Sequence, residues 1–253
     1  MKKLLIFFLL LTGFSVLGQS SFIFKKDLPC VNKEFNVFVH AVNNYKYKTV
    51  EEDEVKEAIE RANELFAPIC VTFKFCEMDT VFNYNYNSLG SDKMEELDVL
   101  YVQHNRINLF VISGYFPNPY IKEVVTGSID SLNSSNLYVN DLFAFPQALG
   151  HFFGLDYTFK GDKEELVNGS NCETSGDKIC DTPADPYTLI RKPSKYVDGL
   201  CRFIRLEKDP NGDFYQPDVT NIMSIFFGCH CKFSLEQYKR MAENILKVKS
   251  KHW

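Results

Sequence analysis

The sequence predicts an α/β (α+β) protein, with an ordered N-terminal part of strands and helix followed by an irregular, cysteine-rich C-terminal part. Residues 35–77 have the order strand, helix, strand with which α/β folds begin. A continuous apolar stretch of buried-strand type, INLFVI, follows at 107–112. From about Lys160 the periodic pattern gives way to Gly, Pro, Asp, Asn and Cys, and regular structure returns only in a closing helix.

The first elements are indicated by their hydrophobic periodicity. Residues 35–44, FNVFVHAVNN, alternate and are rich in Val and Phe, which predicts a strand. Residues 51–66 have apolar side chains three or four positions apart, which predicts a helix with one buried face. That face consists of Val55, Ile59, Ala62 and Phe66. The acidic residues 51–54 favour the positive N-terminal end of this helix, and Pro68 follows its end.

Three further strands and one helix complete the prediction. The strands are residues 71–77, 107–112 and 136–139, and the polar run 83–92 is expected to be a loop. The closing helix has Ser234 as its N-cap and Gln237 three residues later, which form a capping box. Its expected buried face consists of Leu235, Tyr238, Met241, Ile245 and Leu246.

The N-terminus has the features of a signal peptide, which indicates a secreted or periplasmic protein. Lys2 and Lys3 precede the apolar run LLIFFLLL, and small residues follow around Gly18. The run is shorter than the roughly 20 residues of a spanning helix, so we expect no transmembrane segment in the mature chain; an uncleaved anchor is the alternative. We therefore predict residues 1–18 as signal peptide and residues 19–253 as a single domain.

Chain length limits the number of domains, and net charge limits the kind of partner. The chain beyond the predicted signal peptide is long enough for one large domain with its own core. We place its N-terminal lobe at about 35–159 and its C-terminal lobe at 160–253. The net charge of −5 is distributed without a basic stripe, which argues against nucleic acid as a partner.

All eight cysteines lie beyond the predicted signal peptide, and an even count in an exported chain predicts disulfides. They form an early and a late group; the early group is Cys30, Cys70 and Cys76, and the late group is Cys172, Cys180, Cys201, Cys229 and Cys231. Because both groups are odd in number, either one disulfide joins them or each keeps a free thiol. A zinc site in the late group is the alternative, but the paired C-x-x-C spacing is missing.

Residues 146–159, PQALGHFFGLDYTF, have the shape of a zinc-protease helix with the motif H-E-x-x-H-x-x-G-x-x-H. In the intact motif two histidines at i and i+4 bind one zinc ion from the same helix face. The glutamate activates the zinc-bound water, and the glycine turns the chain towards a third histidine. The residues at the five positions here are, in order, Gln147, Ala148, His151, Gly154 and Tyr157.

With two later motifs, this stretch resembles the pappalysin-type (M43-like) metzincin zinc metallopeptidases, especially their secreted bacterial members. Residues 171–186, NCETSGDKICDTPADP, are similar to the family's cysteine-flanked segment, and NIMSI at 221–225 is similar to the methionine turn, with Met223 beneath the metal. The likeness extends over residues 35–246. It implies a metzincin-like fold: a twisted mixed sheet with a backing helix, an active-site-type helix above it, and a disulfide-tied C-terminal lobe with one terminal helix.

The residues at the family's functional positions argue against peptidase chemistry. Ala148 cannot accept a proton, so we predict no catalytic residue. A positioned general base contributes about 10²–10⁴ in rate, and this contribution would be lost. The amide of Gln147 is a poor zinc ligand beside imidazole, and Tyr157 would have to ionise from a pKa of about 10. His151 is therefore the one good ligand. We expect Gln147, His151 and Tyr157 to hydrogen-bond one another, without zinc.

Other metal ligands are weaker predictions. His104 and His230 have no helical register with His151, so a relocated zinc site is not favoured. The resemblance also implies a possible calcium site near the second motif. Its candidate ligands are Asp177, Asp181, Thr182 and Asp185, which serve equally well as turn formers and caps.

We therefore predict a secreted metallopeptidase homologue that has lost zinc-dependent hydrolysis, a pseudopeptidase. Its relic cleft would bind a peptide or protein along an edge strand near 136–139. One alternative is an active zinc metallopeptidase with altered ligands, which would need a replacement carboxylate facing His151. The other is a structural surface protein whose cleft is closed by aromatic side chains.

Overall fold

The structure, a computed structural model, describes residues 28–43, 50–130, 135–159, 163–188 and 192–248. The predicted signal peptide 1–18 lies outside these ranges. The strands are β1 (Lys33–Asn43), β2 (Val71–Phe82), β3 (Ile107–Ile112), β4 (Glu123–Thr126) and β5 (Asn136–Val139). The α-helices in these ranges are α1 (Glu52–Phe66), α2 (Ser91–Tyr101), α3 (Phe145–Phe152) and α4 (Leu235–Lys247).

The five strands form one mixed sheet in the order β2-β1-β3-β5-β4. The neighbours β2-β1, β1-β3 and β3-β5 are parallel, and β4 is antiparallel to β5. The predictions of β3 and β5 are confirmed residue for residue. The expectation that residues 136–139 form an edge strand is wrong, because β4 covers that side of β5. The sequence prediction missed β4, whose four residues are too short for a periodic signal.

Both faces of the sheet are covered, which explains the apolar sequence of β3. On one face Val37, Val39 and Ala41 of β1 pack in a core with α1, α3 and α4. On the other face Phe110 and Tyr138 pack against α2. That helix replaces part of the predicted loop 83–92, since Met94 and Leu97 are buried although the stretch is polar overall.

The first and last helices lie where the sequence predicts them, and each begins with a capping box. In α1, Glu51 and Glu54 form a capping box and the predicted apolar face is buried. In α4, Ser234 and Gln237 form the expected box. The predicted α4 face is confirmed only in part: Met241 and Ile245 are buried and Tyr238 is partly buried against the core. Leu235 is half-buried and Leu246 is 58% exposed, and Ala242 is buried beside Met241 instead.

Three disulfides join the irregular segments. Each of the two odd-numbered cysteine groups keeps one free thiol. Cys30 pairs with Cys70, Cys172 with Cys180, and Cys201 with Cys229. Cys76 and Cys231 are exposed free thiols, so no disulfide joins the early and late groups. In the C-terminal part a small core of Tyr187, Tyr196 and Phe226 supplements the disulfides. No helix in the described ranges has the length and apolar character needed to cross a membrane.

Candidate active site

Helix α3 carries the candidate site and is positioned from both ends. Pro146 lies in its first turn, where a missing N–H costs nothing. At its end Gly154 has φ +91, a left-handed conformation that glycine adopts without strain. A Cβ on Gly154 would also lie 2.4 Å from Nδ2 of Asn244 in α4. Glycine therefore suits this turn both by its backbone conformation and by its close contact with α4.

The side chain of Gln147 binds the methionine turn. It is fully buried, and its Nε2 donates hydrogen bonds of 2.7 Å to the carbonyl oxygens of Ile222 and Ser224. Its Oε1 is buried without a hydrogen-bond partner among the described residues. The expected hydrogen bond from Gln147 to His151 or Tyr157 is absent from the described contacts, and that part of the prediction is wrong. Two backbone carbonyls compete better for the amide because each is itself buried and needs a donor.

Met223 lies under α3, as the resemblance implies. It is fully buried, and a Cβ on Gly150 would lie 2.5 Å from its sulfur, so helix and turn touch closely at this point. The Met223 carbonyl accepts a hydrogen bond from the N–H of Thr158 at 3.0 Å. The turn therefore holds both α3 and the chain that follows it.

Ala148 lies where the resemblance predicts the family's general base. It is fully buried in the main core, and its methyl group offers no proton acceptor. His151, one turn further, is held by a 2.8 Å hydrogen bond between its Nδ1 and the carbonyl of Leu155. Since a carbonyl only accepts, Nδ1 carries the proton and the lone pair of Nε2 points away from the backbone.

A residue that the sequence prediction missed, Glu123 at the start of β4, faces both His151 and Tyr157. Its side chain is fully buried, and Oε1 lies 3.6 Å from Nε2 of His151. The hydroxyl of Tyr157 donates a hydrogen bond to the same oxygen. Burial, and next the charge of Glu123, raise the pKa of Tyr157 well above its ordinary value. Tyr157 is therefore a neutral donor, and no pattern in EVVT indicated that its glutamate points inward.

The aromatic rings near Tyr157 line the cleft beside Glu123 and His151. The Tyr157 ring meets the His151 ring edge-on at 4.4 Å and stacks on Phe159 at 4.8 Å. Beside them lies a cavity of about 570 Å³, lined by Glu123, His151, Tyr157 and the β4 residues Val124 and Val125. The cleft is therefore open, next to the edge strand of the sheet.

Part of the sequence and the fold are similar to those of known peptidases. Residues 128–246 match the family model Peptidase_M43, described as pregnancy-associated plasma protein-A. This part of the chain is therefore similar to the M43 metallopeptidase family. No curated protein sequence matches the chain.

Solved structures of mirolysin from Tannerella forsythia share the fold of this chain. Mature mirolysin in complex with a cleaved peptide aligns with a TM-score of 0.57 and 15% identity, over 82% of this chain and 89% of that chain. A promirolysin mutant aligns with a TM-score of 0.55 and 14% identity, over 87% of this chain and 83% of that chain. At these identities the likeness shows the metzincin-like fold alone.

Zinc is the metal that the M43 family implies, and the residues at its three ligand positions do not fit it. The donor group of Gln147 is directed to two carbonyls, and Tyr157 is an un-ionised phenol bonded to a carboxylate. In the parts of the chain that the structure describes, no three His, Cys, Asp or Glu side chains are arranged to hold a metal ion. His104 and His230 do not join His151, since His104 is exposed and His230 bonds to Ser224.

The four predicted calcium ligands do not all face one point. Asp177 accepts a hydrogen bond from Thr182, whereas Asp181 caps α4 by accepting from the Ser234 hydroxyl and the Glu236 N–H. Asp185 accepts hydrogen bonds from Thr158 and from the N–H of Tyr187. Calcium at this place stays a prediction.

Glu165, which the sequence prediction did not include, joins Asp177 and Asp185. Its Oε2 is buried with no hydrogen-bond partner among the described residues. Burial, then the charges of Asp177 and Asp185, raise the pKa of Glu165 to about 8. Burial also raises the pKa of Asp177 to about 7 and that of Asp185 to about 6. Together the three form a cluster of buried carboxyl groups whose ionisation is disfavoured mainly by burial.

Proposed function

We propose that this chain is an exported pseudopeptidase of the M43 family that binds an extended peptide segment without cleaving it. The observation that carries the proposal is Ala148, a buried methyl group at the position from which the family's general base acts. A positioned base contributes about 10²–10⁴ in rate, and helix α3 has no carboxylate that could replace it. Export is supported by the three disulfides, which persist in oxidising compartments.

Peptide binding is supported by the edge strand beside the cleft. In the sheet β4 pairs with β5 and ends the strand order, so its outer edge is available for an added strand. Val124 and Val125 of β4 line the cavity that also contacts His151. Mature mirolysin, which shares the fold, is known in complex with a cleaved peptide. The same edge in this chain suits an extended peptide.

Hydrogen exchange with a peptide library tests the binding directly. A bound strand should slow amide exchange in residues 123–126, whereas β2, at the opposite edge of the sheet, serves as the internal control and should be unchanged. Protection of both edges, or of neither, would contradict binding at β4. Peptides with quenched fluorophores, incubated with the protein and Zn²⁺, should stay intact.

The reconstructed motif tests the loss of activity. The triple variant Gln147→His, Ala148→Glu, Tyr157→His restores the family's ligands and base, and we expect it to bind zinc. If it folds and stays free of zinc, the assignment of these positions is wrong. The double variant without Ala148→Glu is the matched control, since it should bind zinc and leave peptides intact.

A working peptidase with altered ligands is the second candidate, because Glu123 is a carboxylate that faces His151. Its carboxylate comes from β4 and not from the helix. This candidate requires that the unmodified chain hydrolyses peptides and that the Glu123→Gln variant does not. Intact substrates in both proteins would exclude it.

A further inference from the structure

We infer that residues 192–208 form a surface that binds to an anionic lipid bilayer. The segment combines exposed aliphatic side chains with a local positive charge, in a chain whose net charge is −5. None of its residues belongs to β4 or α3, so its role goes beyond the proposed function and does not depend on peptide binding.

The segment is built around a β-hairpin that is fixed at several points. Val197 and Phe203 form an antiparallel bridge between its two arms. The carboxylate of Asp198 caps the turn by accepting hydrogen bonds of 2.9 and 3.0 Å from two backbone N–H groups. The disulfide between Cys201 and Cys229 joins the hairpin to the chain that follows the methionine turn. The hairpin therefore presents its exposed side chains on a fixed support.

Three aliphatic side chains of the segment are exposed to solvent. Leu200, in the turn, is 74% exposed, and Ile204 and Leu206 are 51% and 83% exposed. Phe203 is partly buried against the small core of the C-terminal part. Because residues two apart in an extended chain share a face, Ile204 and Leu206 lie on the side opposite Phe203. Single exposed aliphatic side chains are ordinary, but several on one short segment mark an interaction surface.

The same segment has a local excess of positive charge. Residues 192–208 contain five basic and two acidic side chains, which gives a charge of +3 within an acidic chain. Both acidic side chains pair inside the segment, Asp198 with Arg202 and Glu207 with Arg205. The basic side chains beyond these pairs are exposed lysines: Lys192, Lys195 and Lys208. The segment therefore presents a positive charge that its own carboxylates do not balance.

An anionic bilayer suits both features at once. Aliphatic side chains enter the boundary between headgroups and acyl chains, and basic side chains beside them face the anionic headgroups. A soluble polyanion would contact the basic side chains and leave Ile204 and Leu206 in water. A second copy of the chain, in a two-fold contact of this surface with itself, would place one charge of +3 against another. The combination of apolar and basic side chains therefore favours the bilayer.

Sedimentation with lipid vesicles tests the inference. The protein used begins at residue 19, because the apolar run of the predicted signal peptide would itself bind lipid. We expect binding to vesicles of phosphatidylglycerol mixed with phosphatidylcholine and little binding to vesicles of phosphatidylcholine alone. Binding to the anionic vesicles should weaken at about 1 M salt, where the Debye length falls to about 3 Å.

Two double variants separate the apolar from the electrostatic contribution. Ile204→Ser with Leu206→Ser removes the aliphatic side chains and should weaken binding to the anionic vesicles by more than tenfold. Lys192→Gln with Lys195→Gln should also weaken it by more than tenfold, since each basic side chain near an anionic surface contributes about fivefold. All four side chains are exposed, so both variants should fold, and thermal melts check this.

The matched control is Val99→Ser with Leu100→Ser in α2. These two aliphatic side chains are 79% and 60% exposed, but their helix contains four acidic residues and one basic residue. The control variant should bind the anionic vesicles as tightly as the unmodified protein.

Several outcomes would overturn the inference. They are no binding to the anionic vesicles, an equal loss of binding in the α2 control, and binding that Ile204→Ser with Leu206→Ser leaves unchanged, which would indicate a site for polyanions alone. Sedimentation equilibrium without lipid adds one more: self-association that the same double variant abolishes would assign the surface to a second copy of the chain. No readout depends on peptide binding or cleavage, so failure here is separate from failure of the proposed function.

Discussion

The hydroxyl of Tyr157 donates a hydrogen bond to the buried carboxylate of Glu123, and this contact joins the end of the motif helix to the edge strand β4. Tyr157 lies where the resemblance predicts the family's third histidine, and its hydroxyl contacts Glu123 beside the cleft. Tyr157 and Glu123 are therefore best understood as one unit.

Removing that hydroxyl should destabilise the fold. Tyr157→Phe leaves Glu123 without its hydrogen bond, and an unsatisfied buried acceptor costs about 1–3 kcal/mol in the free energy of unfolding, more when it is charged. Urea unfolding measures the change. The control Tyr238→Phe removes a 2.7 Å bond to the neutral carbonyl of Leu65 and should cost less. Equal costs for the two variants, or an undiminished cost of Tyr157→Phe in a Glu123→Gln background, would contradict the pairing.

Gln147 should be essential for the methionine turn and not for any ligand chemistry. Gln147→Leu leaves the carbonyl of Ile222 without this donor, at about 1–3 kcal/mol, and should cost less at the carbonyl of Ser224, which also bonds to His230. Gln147→Glu should cost more, because it places a carboxylate against two carbonyl oxygens. Urea unfolding in the absence of metal gives both values. The partly exposed Gln103→Leu is the control, expected to lie within about 0.5 kcal/mol of the unmodified protein. A neutral effect of Gln147→Glu would mean that the amide is not bound to the turn.

Much of the fold follows from local patterns in the sequence. Strands β3 and β5, helix α1 and the capping box of Ser234 and Gln237 each have a signal within one element. The polar helix α2 and the short strand β4 have weak signals, because tertiary packing decides them. The positions of the motif residues on α3 also follow from the sequence.

The candidate active site can be predicted from the sequence only in part. His151 and Tyr157 belong to a motif, but Glu123 lies 34 residues before Tyr157 in the chain and reaches it only because β4 pairs with β5. Gln147 illustrates the same limit, since its partners Ile222 and Ser224 lie 75 and 77 residues away. Glu165 likewise meets Asp177 and Asp185 through loops that no periodicity describes.

The glycine that ends α3 can be tested against a matched glycine. Gly154 and Gly212 both have φ +91, but a Cβ on Gly212 meets nothing within 4 Å. Alanine at either position should cost roughly 1–2 kcal/mol for the left-handed backbone. Gly154→Ala should cost more, because its Cβ would displace Asn244, whose Nδ2 donates to the carbonyl of Phe153. Equal urea-unfolding values for the two variants would show that the contact with Asn244 is unimportant.

Glu165 should make the stability depend on pH. Its pKa is raised from 4.5 to about 8, so between these values the folded state binds more protons than the unfolded state. The stability from this group is complete below about pH 4.5 and is lost as the pH rises to about 8. Glu165→Gln should therefore raise Tm at pH 8 by at least about 2–4 °C, the shift expected for about 1 kcal/mol, and change it little at pH 4.5. The exposed Glu173→Gln is the control in thermal melts; an equal gain at both pH values would contradict the assignment.

Calcium should relieve the same crowding of carboxylates. Because Glu165 and Asp177 must be deprotonated to bind a cation and have pKa values of about 8 and about 7, millimolar Ca²⁺ should raise Tm at pH 8 and have little effect at pH 5. At a concentration about 100-fold above Kd the gain is about 2.7 kcal/mol. Asp177→Asn should abolish the calcium-dependent shift. Asp181→Asn should lower Tm by weakening the cap of α4 and yet preserve the shift, since Asp181 bonds to Ser234 and Glu236. A shift that survives Asp177→Asn, or no shift in the unmodified protein at pH 8, would show that calcium does not bind among these carboxylates.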